Sequence, residues 1–230
     1  MFKKYHPVPH SMTMYSGKIL NFLQTDSEEL FQKVKKEHPE QIYQLRYKFN
    51  RFGFRCNEFT ETNNAVFLGC SYTFGLATRE EYRWTSVLSK IINLEEFNLA
   101  VPGSSSDTAF RLAHNWIPQL KPKMVFFLST HHPRVEIFND KGPHTFLPSQ
   151  EQDIPDELKS FYRTWISYDS NFYYNHLKNL LGIEAICKKN NVKLFHIPIS
   201  EIQRIDLARD LGHFGDKTHA NVAHKFLSLI

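Results

Sequence analysis

Apolar and polar positions along the chain sort into short continuous hydrophobic runs that alternate with helical spacings. Residues 65–68 form an unbroken apolar run ending at Gly69, the pattern of a strand buried on both faces of a parallel sheet. Residues 80–92 follow with helical spacing at Trp84, Val87, Leu88 and Ile91, a stripe that reads as core. A second strand is predicted at 96–99, stopped by Pro102 and Gly103; Ser106 and Asp107 then cap a helix running to about Leu120, and 123–129 predicts a third strand. Helical patterns return at about 156–167 and 171–190, a fourth strand is predicted at 192–197, and a terminal helix at 216–229. Strands that alternate with helices predict an α/β fold with a parallel sheet covered on both faces, a three-layer α/β/α arrangement of flavodoxin-like type, because parallel neighbours need crossover connections. Between 130 and about 155 no periodicity is visible, and Pro133, Pro143, Pro148 and Pro155 break any regular element; a loop of that length is often functional or a lid.

The first 60 residues differ. Asp26 and Ser27 precede an apolar pattern at Leu30, Phe31 and Val34 that Pro39 closes, predicting a short capped helix over 27–37. After it, 42–59 is aromatic-rich with Gly53 in its middle, as for an extended segment and turn lying on a larger body. The expected organisation is therefore an N-terminal extension, 1–60, packing on a main domain, 61–230; at 230 residues and 41% hydrophobic composition the chain can bury one sizeable core.

Charge adds little. The formal net charge is +4, and the first 60 residues, with 10 Lys+Arg against 6 Asp+Glu, hold all of it. Arg46, Lys48, Arg51 and Arg55, set among Tyr47, Phe49, Phe52 and Phe54, come nearest to a nucleic-acid footprint, but there is no concentrated basic stripe or known module. The segment reads instead as a packed extension with its arginines on the rim, and nucleic acid is not an expected partner. The longest apolar run, 124–128, is far short of the roughly 20 residues that a bilayer span needs, and no secretory pattern opens the chain. Three cysteines, Cys56, Cys70 and Cys187, form no C-x-x-C pair and read as core thiols in a reducing compartment, so a cytoplasmic location is expected.

In parallel α/β sheets ligands bind beyond the carboxyl ends of the strands where the winding reverses, which directs attention to 69–75, 101–107, 129–136 and 198–215. The first of these reads Gly69-Cys70-Ser71-Tyr72-Thr73-Phe74-Gly75. A serine directly after a strand can be held at a tight turn with its hydroxyl exposed and backbone amides aimed at a developing oxyanion. It is not the G-x-S-x-G elbow, because Thr73 stands where the second glycine belongs. The segment resembles the first block of the SGNH/GDSL hydrolases, in which Gly-Asp-Ser carries the nucleophile; here Cys70 replaces the aspartate. Asn98-Leu99-Ala100-Val101-Pro102-Gly103-Ser104 is similar to the second block, and the resemblance gives the backbone N–H of Gly103 an oxyanion-binding role beside that of Ser71.

For the last block, Asp-x-x-His, the sequence offers Asp210/His213 and Asp216/His219; Asp210/His213 is preferred, because Ala223 stands ten residues past His213 as in the family's last helix. The third block departs from the family. Its usual Gly-x-Asn-Asp, whose asparagine completes the oxyanion hole, is replaced by Leu128-Ser129-Thr130-His131-His132-Pro133, leaving Thr130 or His131 as the stand-in. Arg134 and Glu136, on the same loop, are placed to orient a polar substrate. Upstream, Asn50-Arg51-Phe52-Gly53-Phe54-Arg55 resembles an Asn-x-x-Gly-Phe-Arg lead-in of one subgroup, so the likeness spans about residues 47 to 230.

The expected function is that of a serine esterase on acyl or acetyl esters, with Ser71 as nucleophile, His213 as base and Asp210 orienting it, through an acyl-enzyme. The substrate would be a small-molecule or carbohydrate ester, and no cofactor or metal is implied; the spacings of His131, His132, His213, His219 and His224 match no zinc signature. The alternative is a weak or inactive protein of this fold used for binding or structure, motivated by the missing third-block asparagine. The aromatic cluster Tyr162, Trp165, Tyr168, Phe172, Tyr173 and Tyr174 reads as packing or a dimer face before carbohydrate stacking.

Overall fold

A computed structural model describes residues 9–39, 43–130, 133–139, 142–147 and 154–230. Its centre is a parallel sheet of four strands, β3 (Asn64–Leu68), β4 (Glu95–Asn98), β5 (Met124–Ser129) and β8 (Lys193–Pro198), in the spatial order β4-β3-β5-β8. The winding reverses at β3, which pairs with β4 on one side and β5 on the other. β3 is buried along its whole length, the reason its sequence is an apolar run without alternation. Its side chains divide between two cores. Val66 and Leu68 face a cluster with Leu112, Trp116 and Ile183, supplied by α4 (Ser106–Leu120) and α6 (Asp169–Lys189). Ala65 and Phe67 face Trp84, Leu88, Val222 and Phe226, supplied by α3 (Trp84–Ile92) and α7 (Asp216–Leu227). Helices thus cover both faces of the sheet. Ile91, read from its spacing as part of the stripe, lies on the exposed side of α3.

Local chemistry sets the helix boundaries. The Ser27 hydroxyl accepts the Leu30 N–H at 3.2 Å and starts α1 (Glu28–Glu37). The cap of α4 is Ser105, one residue before the expected position, with Asp107 in its first turn. α7 starts under Asp206, whose carboxylate accepts the N–H groups of Lys217 and Thr218.

Described residues before 60 lie on and in this body. β1 (Ile19–Leu20) pairs with β2 (Tyr47–Lys48), and Leu23, Leu45, Tyr47 and Phe49 form a third cluster with Phe74, Leu76 and Ala100. Phe54, Cys56 and Phe59 belong to the main core itself. The expectation that the arginines of this segment lie on its rim fails at Arg55, which is 1% exposed. Its guanidinium sits 4.4 Å over the Tyr47 ring and donates to the carbonyls of Gly75, Thr78, Arg46 and Phe74, so that its charge is met by backbone oxygens in the interior.

The aperiodic stretch also differs from expectation. β6 (Val135–Asn139) and β7 (Gly142–Phe146) form an antiparallel pair, and Pro143 lies opposite Phe138. In a two-stranded sheet both strands are edges, where a proline costs no ladder bond that matters. Val135 and Phe146 pack with Ile154 and Tyr162 under α5 (Asp156–Ile166). The aromatic cluster splits: Tyr162 is buried, Trp165 donates its Nε1–H to the Pro133 carbonyl at 3.0 Å, and Tyr168, Tyr173 and Tyr174 are exposed. The three cysteines are free and buried. Among the described residues no helix is long and apolar enough to cross a membrane.

Candidate active site

β3 ends at Leu68, and a turn through Gly69 and Cys70 delivers Ser71 to the first position of α2 (Ser71–Phe74). Gly69 is required by close approach: a Cβ there would meet Thr73 Oγ1 at 2.2 Å and the Leu128 carbonyl at 2.8 Å. Gly75 ends the helix in the left-handed region at φ +75°, with its N–H returning to the Ser71 carbonyl. The neighbouring loop locks on from the other side. Ser104 donates its hydroxyl to the Gly69 carbonyl at 3.1 Å, and Asn98 donates its amide to the Thr73 carbonyl at 2.8 Å. Asn98 is thereby a brace between β4 and the serine turn.

His213 comes from the loop between β8 and α7. Its Nε2 lies 2.9 Å from Ser71 Oγ, and its Nδ1 lies 2.6 Å from Asp210 Oδ2. Asp210 Oδ1 accepts the backbone N–H groups of Gly212 and His213, both at 3.0 Å. Burial works against the Asp210 carboxylate, but the hydrogen bond and charge of His213 and the two backbone donors outweigh it and hold its pKa below the ordinary value. One face of the imidazole rests against Tyr72, ring centroids 5.2 Å apart, and Tyr72 in turn lies 4.2 Å from Phe214.

The other histidine pair is elsewhere. His219 is buried in the core, where its Nδ1 accepts the Trp84 N–H at 3.2 Å; burial first, then nearby Arg83 and Arg55, lower its pKa to about 3. Asp216 is paired with Arg79 at 2.6 Å.

Ser71 and His213 open onto a cavity of about 490 Å³ that Gly103 also lines. Among the described residues the N–H groups of Ser71 and Gly103 meet no acceptor of the protein. Thr130 is buried at the end of β5 and is not part of the cavity wall, and His131 lies outside the described residues. The proposed substrate-orienting role of Glu136 meets an obstacle, since Arg111 grips its carboxylate with Nε and Nη2 at 2.7 and 2.6 Å and Thr108 donates a third bond at 2.7 Å. Arg134 donates from Nη1 to the Ser104 carbonyl at 3.1 Å.

Two contributions were not read from the sequence. Met12, Met14 and Tyr15 of the N-terminal segment form part of the cavity wall. Arg209, the residue before Asp210, places Nε and Nη2 on Asp26 at 3.1 and 2.6 Å in the buried interior. A larger, more open groove of about 820 Å³ lies at the amino ends of β3 and β4, lined by Asn63, Glu80, Glu95 and Glu96, at the opposite end of the sheet from Ser71. Among the described residues no group of three or more His, Cys, Asp or Glu side chains is arranged to hold a metal ion.

No protein-family model and no curated protein matches this chain. Solved structures similar to it include an acetyl xylan esterase from the rumen bacterium Butyrivibrio proteoclasticus, at 13% identity over 75% of this chain and 64% of that one, with a TM-score of 0.40. A psychrotrophic esterase from a Pseudoalteromonas species matches at 15% identity over 72% of this chain and 95% of that one, with a TM-score of 0.36. A GDSL-like lipase from Bacteroides thetaiotaomicron matches at 11% identity over 87% and 98%, with a TM-score of 0.32. At these scores the likeness assigns no role to any residue.

Proposed function

We propose that this protein is a serine hydrolase that cleaves acyl or acetyl esters through Ser71, His213 and Asp210. The observation that carries the reading is the continuous line of hydrogen bonds Asp210 Oδ2 to His213 Nδ1, 2.6 Å, and His213 Nε2 to Ser71 Oγ, 2.9 Å, ending in an open cavity. A serine hydroxyl is a weak nucleophile until a base in hydrogen-bond reach takes its proton. With Asp210 accepting at Nδ1, the ring carries its proton there and presents the Nε2 lone pair to Ser71. His213 removes the Ser71 proton as Oγ forms its bond to the ester carbon and the carbonyl π pair moves onto oxygen. Collapse expels the alkoxide, which takes the proton from His213, and water repeats the cycle on the acyl-enzyme. The N–H groups of Ser71 and Gly103 are the two donors for the oxyanion. The third donor expected from Thr130 or His131 is not assigned.

Turnover of a short p-nitrophenyl ester tests this. The wild type should hydrolyse it, and Ser71→Ala and His213→Ala should each lose most of the rate, with general-base assistance alone worth about 10²- to 10⁴-fold. A folded Ser71→Ala variant with the wild-type rate contradicts the assignment.

A further inference from the structure

Among the described residues, one guanidinium group in the wall of the cavity beside Ser71 has no counter-charge. Among the described residues that wall holds two arginines and one carboxylate, Arg111, Arg134 and Glu136. Glu136 is committed to Arg111 through two short parallel bonds, and its side chain is only 3% exposed, so that pair cancels within the wall. Among the described residues Arg134 has no such partner. Among the described residues its one bond is from Nη1 to the Ser104 carbonyl, and no carboxylate lies at ion-pair distance.

That bond also aims the group. Ser104 follows Gly103 on the loop after β4, so Arg134 is pinned beside the proposed oxyanion donors. With Nη1 engaged, the edge formed by Nε and Nη2 remains, the fork that takes a planar carboxylate through two parallel bonds. Nearby His10 does not supply or cancel charge near neutrality, because burial, above all, brings its pKa down to about 4. Much of the remaining wall is apolar, including Met12, Met14, Leu76 and Leu147, which lowers the local dielectric and strengthens an ion contact.

We infer that the substrate is an ester of a carboxylic-acid-bearing compound, with its free carboxylate on the guanidinium of Arg134 and its ester carbonyl at Ser71. The inference rests on the serine-hydrolase reading of the same cavity and specifies its substrate class. Neutral short-chain esters are then turned over more slowly than their carboxylate-bearing counterparts, and the charged group lies on either the acyl or the alcohol side.

Binding to the Ser71→Ala variant by calorimetry tests this without turnover. Two matched pairs serve as probes: monoethyl glutarate against its neutral amide ethyl 4-carbamoylbutanoate, and 4-acetoxybenzoate against 4-acetoxybenzamide. The charged member of at least one pair should bind about tenfold to a hundredfold more tightly than its amide, as expected for a charged hydrogen-bonded pair. Adding Arg134→Gln should bring that ratio to about one. Equal affinity within both pairs, no measurable binding of either charged member, or a preference that survives Arg134→Gln in a protein with unchanged circular dichroism overturns the inference. If the carboxylate binds through Arg134 but Ser71 of the wild type is inert toward esters, the hydrolase reading falls and the carboxylate site stands.

Discussion

The guanidinium of Arg209 lies on the carboxylate of Asp26, 183 residues away, through bonds of 3.1 and 2.6 Å. Arg209 is peptide-bonded to Asp210, and its remaining donors go to the carbonyls of Tyr43 and Asn21. The Tyr47 hydroxyl adds a second donor to Asp26. Asn21, Asp26, Tyr43 and Tyr47 therefore hold the loop that carries His213.

Removing one side of that pair strands the other in the interior. Asp26→Ala should cost about 3–5 kcal/mol in urea-induced unfolding. If the remaining folded protein turns over a p-nitrophenyl ester at the wild-type rate, the pair stabilises the fold without positioning Asp210.

Arg55 is held by carbonyls of the turn that follows α2, and burial, then the like charge of Arg83, brings its pKa down to about 9, so it remains charged at neutral pH. Arg55→Met removes several buried donors at once and should destabilise by about 1–3 kcal/mol for each carbonyl left unpaired. A melting temperature within a degree of the wild type would contradict this account of the turn.

Gly69→Ala should displace the serine turn, since its Cβ would collide with Thr73 Oγ1 and the Leu128 carbonyl. The expected result is a less stable protein with a reduced kcat; crystallography of the variant showing Ser71 unmoved would refute it.

Acid should destabilise the fold through two buried histidines. His10 and His219 have pKa values lowered to about 4 and about 3 from 6.5, with burial the leading cause for both. Below pH 6.5 the unfolded chain takes up these protons and the folded chain does not, so stability falls with falling pH by about 1.4 kcal/mol per pH unit for each group. Asp210 acts lower on the scale: its depressed pKa contributes stability that is present above its unfolded value of about 3.8 and is lost as pH falls through the folded value. Urea midpoints between pH 7 and 4 should drop for the wild type and drop less for His219→Gln; parallel curves would remove His219 from the explanation.

The parallel body is legible in the chain because strands buried on both faces leave continuous apolar runs, as at 65–68, and because helix starts leave polar caps such as Ser27. The pair β6 and β7 was not legible: Pro143 reads as a breaker until the strand is known to be an edge. At the candidate site, Ser71 and Gly103 drew attention in the chain because both follow strands at the carboxyl edge of the sheet, and both line one cavity. Arg209 and Asp26 left no local signal, since only the tertiary fold brings them together. Likewise the engagement of Glu136 by Arg111 depends on α4 facing β6, which no spacing encodes.

The most direct test of the central claim is labelling with a fluorophosphonate, followed by peptide mass mapping of the wild type and of Ser71→Ala. An activated serine predicts one adduct, on the peptide that contains Ser71, lost in Ser71→Ala and strongly slowed in His213→Ala. A wild-type protein shown to be folded that takes up no adduct at Ser71 would contradict the claim.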